Sequence, residues 1–359
     1  MILGRKGAYR GVHFSPEPFF VIDTAYYVKP KSDLDMRWLY YAIIHHKLGE
    51  IDDGSPIPST TRAAVYVRDV EVPPLPEQRA IAATLGALDD KIELNRKMNA
   101  TLEAMARALF RDWFVDFGPT RARMALSASG AKTASEPRAP TLSPDIWSLF
   151  PDRLDDEGKP EGWEVGTLGA VATARNEGID PSAISPDTPY IGLEHMPRGS
   201  IALTDWEGAG KVSSNKATFA AGDFLFGKLR PYFHKVGVAP VSGICSTDIV
   251  VVRPNGAVWS GFVIACISDD DFVAYTDKTS TGTKMPRTSW SIMAKYPVAL
   301  PPANLAEAFN ATVAPILDRI RANIHESRTL AQTRDLLLPR LMSGELRVAE
   351  VARLASEVA

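Results

Sequence analysis

Apolar positions recur in alternating steps of four and three over two long stretches of the chain. In the first, from about 76 to 115, they are Ile81, Leu85, Leu88, Ile92, Leu102, Ala106, Leu109 and Trp113. In the second, from about 304 to 341, they are Phe309, Val313, Ile316, Ile320, Leu330, Leu337 and Leu341. Each is a heptad seam and predicts a long amphipathic helix. A shift of 228 residues lays one seam on the other, and the polar interruptions coincide as well: Asn95 and Asn99 in the first, Asn323 and Ser327 in the second. Each seam corresponds to a rod of roughly 50 Å at about 1.5 Å rise per residue. A helix that long with one apolar stripe needs a partner, and its own copy is the natural one. Antiparallel pairing sets Asn95 opposite Ser327 and Asn99 opposite Asn323. A one-heptad slip would bury amides against Leu and Ile, costing about 1–3 kcal/mol per unpaired group. Parallel pairing aligns the polar layers equally well, so the pattern leaves the direction open. An internal repeat built on long helices points to a symmetric device rather than a single-pocket enzyme.

The remaining pattern divides the chain into six segments. Residues 1–75 contain strand-like runs at Met1–Leu3, Phe19–Val28 and Val65–Val72, and helical spacing over Asp35–Leu48. The first long helix takes 76–117. Residues 118–161 read as a linker rich in Pro, Ser, Ala and Gly, with turn signals at Pro160 and Gly162. Residues 162–302 form the largest globular unit, with strand-like Asp223–Leu229 and Ile244–Arg253, and Trp259–Ile267 as helix or strand. The second long helix takes 303–343, and 344–359 is a charged tail with helical spacing. The repeat extends into the globular parts. Gly4-Arg5-Lys6-Gly7-Ala8-Tyr9 precedes Val21-Ile22-Asp23-Thr24-Ala25, as Gly227-Lys228-Leu229-Arg230-Pro231-Tyr232 precedes Cys245-Ser246-Thr247-Asp248-Ile249. Ser59-Thr60-Thr61-Arg62 takes the place of Lys284-Met285-Pro286-Arg287. The fold class is therefore α+β, with globular domains joined by two long coiled-coil helices under a pseudo-two-fold repeat. The first domain copy reads as only its second half.

Composition narrows the function less than the pattern does. The 359 residues carry 40 Lys and Arg against 43 Asp and Glu, a formal charge of −3. That balance does not announce a nucleic-acid binder, but a whole-chain sum hides local faces. The window 211–300 holds ten Lys or Arg and six Asp, for +4. Only Cys245 and Cys266 occur, without CxxC spacing, which implies neither a disulfide framework nor a zinc site and fits a reduced, cytoplasmic setting. No apolar run reaches 18 residues, so no membrane span is expected.

Several motifs together resemble the specificity subunits of type I restriction-modification systems. Pro73-Pro74-Leu75-Pro76-Glu77-Gln78-Arg79 leads into Leu88-Asp89-Asp90-Lys91-Ile92-Glu93-Leu94-Asn95, and then Leu109-Phe110-Arg111-Asp112-Trp113-Phe114-Val115-Asp116-Phe117. Leu149-Phe150-Pro151-Asp152, Glu161-Gly162-Trp163, Leu229-Arg230-Pro231-Tyr232, Ser246-Thr247-Asp248 and Gly282-Thr283-Lys284-Met285-Pro286-Arg287 follow in the same order. The resemblance covers essentially the whole chain. It implies two target-recognition domains held by two antiparallel helices, each domain reading half of a split double-stranded DNA site. The helices serve as ruler and as dock for methyltransferase subunits. No catalysis is expected in this chain; S-adenosylmethionine, ATP and Mg chemistry belongs to the methyltransferase and translocating endonuclease subunits. Two departures stand out. The first recognition domain lacks its N-terminal half, implying a start assigned downstream or a natural truncation. Pro301-Pro302-Ala303-Asn304-Leu305 replaces the Pro-Glu-Gln turn and predicts a loose helix start. The alternatives are a coiled-coil scaffold that no longer reads DNA, or a half-subunit that self-associates on a symmetric site.

Candidate DNA contacts follow from charge and side-chain chemistry. Lys228, Arg230, Tyr232, His234 and Lys235 form one basic-aromatic cluster, and Lys284 and Arg287 a second. Arg can grip guanine bidentately, while Lys and Thr hold phosphate. Equally, Arg230 and Arg287 can brace the fold by pairing with Asp248. Motifs shared by relatives that read different sequences cannot carry specificity, so base reading should come from Tyr190–Lys216, with His195, Arg198, Lys211, Asn215 and Lys216 as candidates. Enzyme motifs are wanting. Asp269-Asp270-Asp271 reads as a solvated loop or helix cap, and Gly282-Thr283-Lys284 lacks the upstream glycine of a phosphate loop. His45-His46 lacks metal-ligand company, and no metal is expected.

Overall fold

Both seams fold as helices, at Leu75–Phe110 and Ala303–Met342, and their first residues stand 228 positions apart. The computed structural model describes all residues except 7–10, 52–53, 55–58, 130–141, 176, 352 and 354–359. The chain divides into two units, one of residues 1–94 with 326–359 and one of 95–325, so each long helix contributes a part to both. Within each unit the helices run antiparallel. In the unit 1–94/326–359, Asp89 meets Arg334 at 2.6 Å and Lys91 meets Glu326 at 3.1 Å. In the unit 95–325, Asn323 Nδ2 donates to Asn99 Oδ1 at 2.8 Å, and Phe110 packs on Phe309 with ring centroids 6.3 Å apart. The Asn99–Asn323 pair is buried among apolar layers, as a register pin requires. Asn95 is buried and Ser327 half-buried.

In the first unit a three-stranded sheet orders Val12–His13, Ile2–Gly4 and Ala25–Tyr27. Asp35 starts the helix Met36–His45 by accepting from the Arg37 and Trp38 amides, both at 2.9 Å. Trp38, Tyr41 and Ala42 from that helix pack on Ile81, Ala82, Leu85, Leu338 and Leu341 of the two long helices. The Asp89-Asp90 pair of the sequence motif fastens this assembly. Arg37 donates to both Asp90 oxygens (2.9 and 2.7 Å) and to the Gly86 carbonyl (2.9 Å). Asp89 accepts from Tyr41 Oη at 2.5 Å and from Arg334. Arg37 holds the Asp90 carboxyl below its usual range, while burial, followed by Asp89, raises the Tyr41 phenol. A Cβ on Gly86 would lie 2.6 Å from the Arg37 guanidinium carbon. That accounts for a glycine inside a helix, where it costs about 1 kcal/mol relative to Ala.

The second unit is built on a four-stranded antiparallel sheet, ordered Val236–Val238, Phe224–Gly227, Ile249–Pro254, Ala172–Arg175. Its run Ile249-Val250-Val251-Val252 is apolar on both faces because both faces are covered. Val250 and Val252, with Phe224 and Phe226, join the helical core; Ile249 and Val251, with Leu225, join a second core against the five-stranded mixed sheet. The helix Ser260–Ile267, apolar and buried from Gly261 onward, lies in the first of these cores. The second long helix receives it closely, with Asn310 Oδ1 accepting from the Gly261 amide at 2.9 Å. The first long helix ends in a wider π turn, Arg111–Val115, in which Trp113 and Phe114 are both buried. Among the described residues, no helix is long and apolar enough to cross a membrane.

Four sequence expectations change. The strand expected at Val65–Val72 does not form: Val65 and Tyr66 end a short helix, Arg62–Tyr66, capped by Thr61, and 67–72 are irregular. Among the described residues no strand pairs with this segment, and Val67 and Val72 are exposed. Only Ala25–Tyr27 of the expected strand Phe19–Val28 pairs, because its partner Ile2–Gly4 is three residues long. The linker contains a helix at Gly118–Ser129, whose Arg-Ala-Arg-Met-Ala-Leu core is helix-forming, and another at Pro144–Ser148. The second long helix starts tightly: Leu305 and Ala306 amides donate to the Pro302 carbonyl at 3.0 and 3.1 Å. Trp259–Ile267 resolves as helix. Residues 7–9 of the N-terminal motif and most of the tail beyond 351 lie outside the described residues.

Candidate nucleic-acid interface

The two basic clusters, about fifty residues apart in sequence, form one edge of the unit 95–325. Strand Phe224–Gly227 leaves the sheet and enters a 3-10 turn, Pro231–Phe233. The Lys228 amide donates to the Asp248 carbonyl at 2.9 Å, Thr288 donates to the Lys228 carbonyl at 3.0 Å, and Arg230 donates to the Pro286 carbonyl at 2.7 Å. Thr281 and Arg287 exchange backbone hydrogen bonds at 3.0 and 2.9 Å and close the loop carrying Lys284. Gly282 takes φ +97° there, open to glycine and strained for other residues. The three motif segments are thus stitched by main chain.

The turn itself is held in a costly conformation. Arg230 (φ 51°) and His234 (φ 49°) are both left-handed, at about 1–3 kcal/mol each. Neighbours over-determine them. His234 Nε2–H donates to the Ser268 carbonyl at 3.0 Å, its Nδ1 lies 3.3 Å from Asp270, and its carbonyl accepts from the Gly199 amide at 2.9 Å. Asp269 caps the helix Asp270–Lys278 and binds Arg111, so the acidic run is structural.

The sequence candidates fall into four groups. Arg198, Lys211, Tyr232 and Lys284 are exposed, Tyr232 by half. Asn215 is also exposed, while Lys228 and His195 are half-buried. Arg230 and Arg287 brace the edge: Arg230 lies 5.9 Å from the Phe233 ring and Arg287 Nε donates to Asp248 at 3.2 Å. Lys216 and Lys235 are corrected out of the DNA-facing set. Lys216 is buried and its ammonium donates to the Ser214 carbonyl and hydroxyl. The Lys235 ammonium donates to the Leu193 carbonyl, and burial, then Arg198, pushes its pKa down. Both residues spend their charge inside the fold.

Two residues that the pattern did not single out organise this edge. Phe233 carries the Arg198 guanidinium 4.0 Å above its ring. Glu103, buried on the first long helix, accepts from Ser200 Oγ (2.7 Å), the Ile201 amide (3.0 Å) and the Ala202 amide (3.3 Å). A glutamate beside a helical seam carries no sequence signal for that role. A further group, Glu194, His195 and Glu207, places its ligand atoms within 4.8 Å of one another. His195 Nδ1, however, accepts from the Gly192 amide at 2.9 Å, which puts the neutral ring's proton on Nε2 and leaves no free lone pair for a cation.

The first unit repeats the stitch. Gly4 pairs with Ala25 as Gly227 pairs with Ile249. Gly4 and Gly227 donate to the Gly11 and Lys235 carbonyls, each at 2.8 Å. Arg5 donates to Thr24 at 2.8 Å and Thr60 to Arg5 at 2.8 Å, matching the Lys228–Asp248 and Thr288–Lys228 bonds. The internal repeat is therefore a repeat of hydrogen bonds, and these set Thr60 in the place of Thr288 rather than of Met285, which the alignment of letters places opposite it.

Comparison with known proteins agrees with this layout. Residues 6–104 match the family described as type I restriction modification DNA specificity domain. The chain is 26% identical over 344 residues to the type I restriction enzyme MjaIX specificity subunit of Methanocaldococcus jannaschii, covering 90% of this chain and 72% of that protein. It is 26% identical over 330 residues to the HindI specificity subunit of Haemophilus influenzae, covering 80% and 71%. The fold is similar to the crystal structure of a type I restriction-modification S subunit from M. genitalium, with a TM-score of 0.50, 15% identity, and coverage of 95% and 82%.

Proposed function

We propose that the chain, which is similar to the specificity subunits of type I restriction-modification systems, recognises DNA sequence for such a complex and is itself non-catalytic. The unit 95–325, with its recognition domain at 162–302, reads one part of a split double-stranded site. The long helices dock methyltransferase subunits, and a translocating endonuclease subunit joins them. S-adenosylmethionine, ATP and Mg enter with those subunits, in the cytoplasm. One observation carries the reading at the level of side chains. A main-chain-stitched edge, strained at Arg230 and His234, presents Arg198, Tyr232 and Lys284 outward. Rigid placement of cations and an aromatic ring suits a groove-facing surface, where phosphate contacts fix register and base contacts specify.

Lys284 tests the phosphate side of this surface. In the complex assembled with its methyltransferase subunits, Lys284→Ala should weaken binding to all duplexes about equally. The slope of log affinity against log salt should fall by about one. An unchanged slope, with binding intact, contradicts the assignment.

A further inference from the structure

The geometry points to Arg198 as the guanine-reading side chain of the unit 95–325, with Glu103 of the first long helix as its positioning residue. This rests on the reading of that unit as a DNA reader and adds which residue reads, which base, and what holds it.

Arg198 lies outside the stitched motif segments, yet two fastenings tie its neighbourhood to the motif turn and a third to the first long helix. Its guanidinium rests 4.0 Å from the Phe233 ring centre. The next residue, Gly199 (φ +66°), donates its amide to the His234 carbonyl at 2.9 Å. The following three residues, Ser200 to Ala202, are gripped by the buried Glu103 carboxylate through one hydroxyl and two amides. Ile201 is held from the other side as well, its carbonyl accepting from the Val238 amide at 3.1 Å. The backbone on which Arg198 stands is thus clamped between the strained turn and the helix.

The side chain itself is exposed. A long flexible cation normally loses much rotamer freedom on binding. Stacking on Phe233 removes part of that freedom beforehand and leaves the planar donor fork at the surface. A flat fork held at a fixed place matches the O6 and N7 acceptors of guanine in the major groove, the commonest specific arginine contact. Lys284 and Tyr232 stand on the motif loops and lack this combination of fork and clamp. The motif turn is then a constant support, and Arg198 a residue whose replacement would alter the base preferred.

The test is selection from a pool of short duplexes with a randomised core, using the full chain assembled with methyltransferase subunits. Wild type should enrich a motif containing a guanine. Arg198→Ala should lose preference at that guanine by roughly 5- to 150-fold while other positions keep theirs, and Arg198→Lys should not restore it. Glu103→Gln should reduce preference at the same position only, with the salt slope unchanged. Uniform weakening by Arg198→Ala with all base preferences intact overturns the base-reading role and leaves the DNA-reader proposal standing. Loss spread over every position in Glu103→Gln overturns the positioning role. A wild-type complex that enriches no motif overturns the DNA-reader proposal and this inference with it.

Discussion

Replacing Phe309 by Ala should lower the stability of the unit 95–325 by about 3–5 kcal/mol, as expected for a large aromatic removed from a closed core. Phe309 is fully buried on the second long helix. Its ring centre lies 4.8 Å from that of Phe114, 5.3 Å from Trp113 and 6.3 Å from Phe110, all from the end of the first helix. Phe114 and Phe110 in turn pack on Phe262 of the buried helix Ser260–Ile267. Edge-to-face pairs of this kind add about 0.5–1.5 kcal/mol beyond area burial. Removing this ring deprives the first long helix and its π turn of a shared partner, and rings fixed on two long helices cannot easily close the gap. The check is the denaturant midpoint followed by tryptophan fluorescence, since Trp113 lies in the cluster. Leu336→Ala, at a position 71% exposed on the same helix, should change stability by less than about 0.5 kcal/mol. A Phe309→Ala loss under about 1 kcal/mol would mean the cluster is not the joint described.

Glu103→Leu should cost about 2–5 kcal/mol, because two buried amides and one hydroxyl lose their acceptor together. Relief of the buried charge offsets part of this, which makes the effect the smaller of the two. The damage should also be local. Hydrogen exchange at the Ile201 and Ala202 amides, which donate to the carboxylate at 3.0 and 3.3 Å, should accelerate more than exchange in the sheet Phe224–Gly227. Unchanged protection at those two amides would falsify the clamp.

The features legible from sequence are those with long periods. A seam of alternating fours and threes over some thirty residues leaves little room for another reading. Its polar breaks marked the buried polar layer but left the direction open, and the antiparallel arrangement is the one that joins Asn99 to Asn323. The strand-like run Ile244–Arg253 was legible as extended chain, but it breaks at 246–248 into Gly243–Cys245 and Ile249–Pro254, which join different sheets. Short segments were less legible. Val65–Val72 alternates like a strand, but strandness needs a neighbour, and Thr61 offered a helix cap instead. The site divided along the same line. Composition located the basic edge, yet it could not separate the outward Lys284 from the inward Lys216 and Lys235. Those ammoniums are decided by carbonyls at Ser214 and Leu193, close in space to groups whose approach only the fold sets. Glu103 was invisible for a related reason: its partners are main-chain amides about a hundred residues away, which carry no letter in the sequence.

That this chain directs a methyltransferase complex to a DNA sequence is tested most directly by mapping modified bases. DNA treated with the complex assembled around the full chain would be read by single-molecule sequencing. The expected result is methylation confined to one short recurring motif, absent when the chain is left out. Methylation scattered without a motif, or the same motif in the chain's absence, would contradict it.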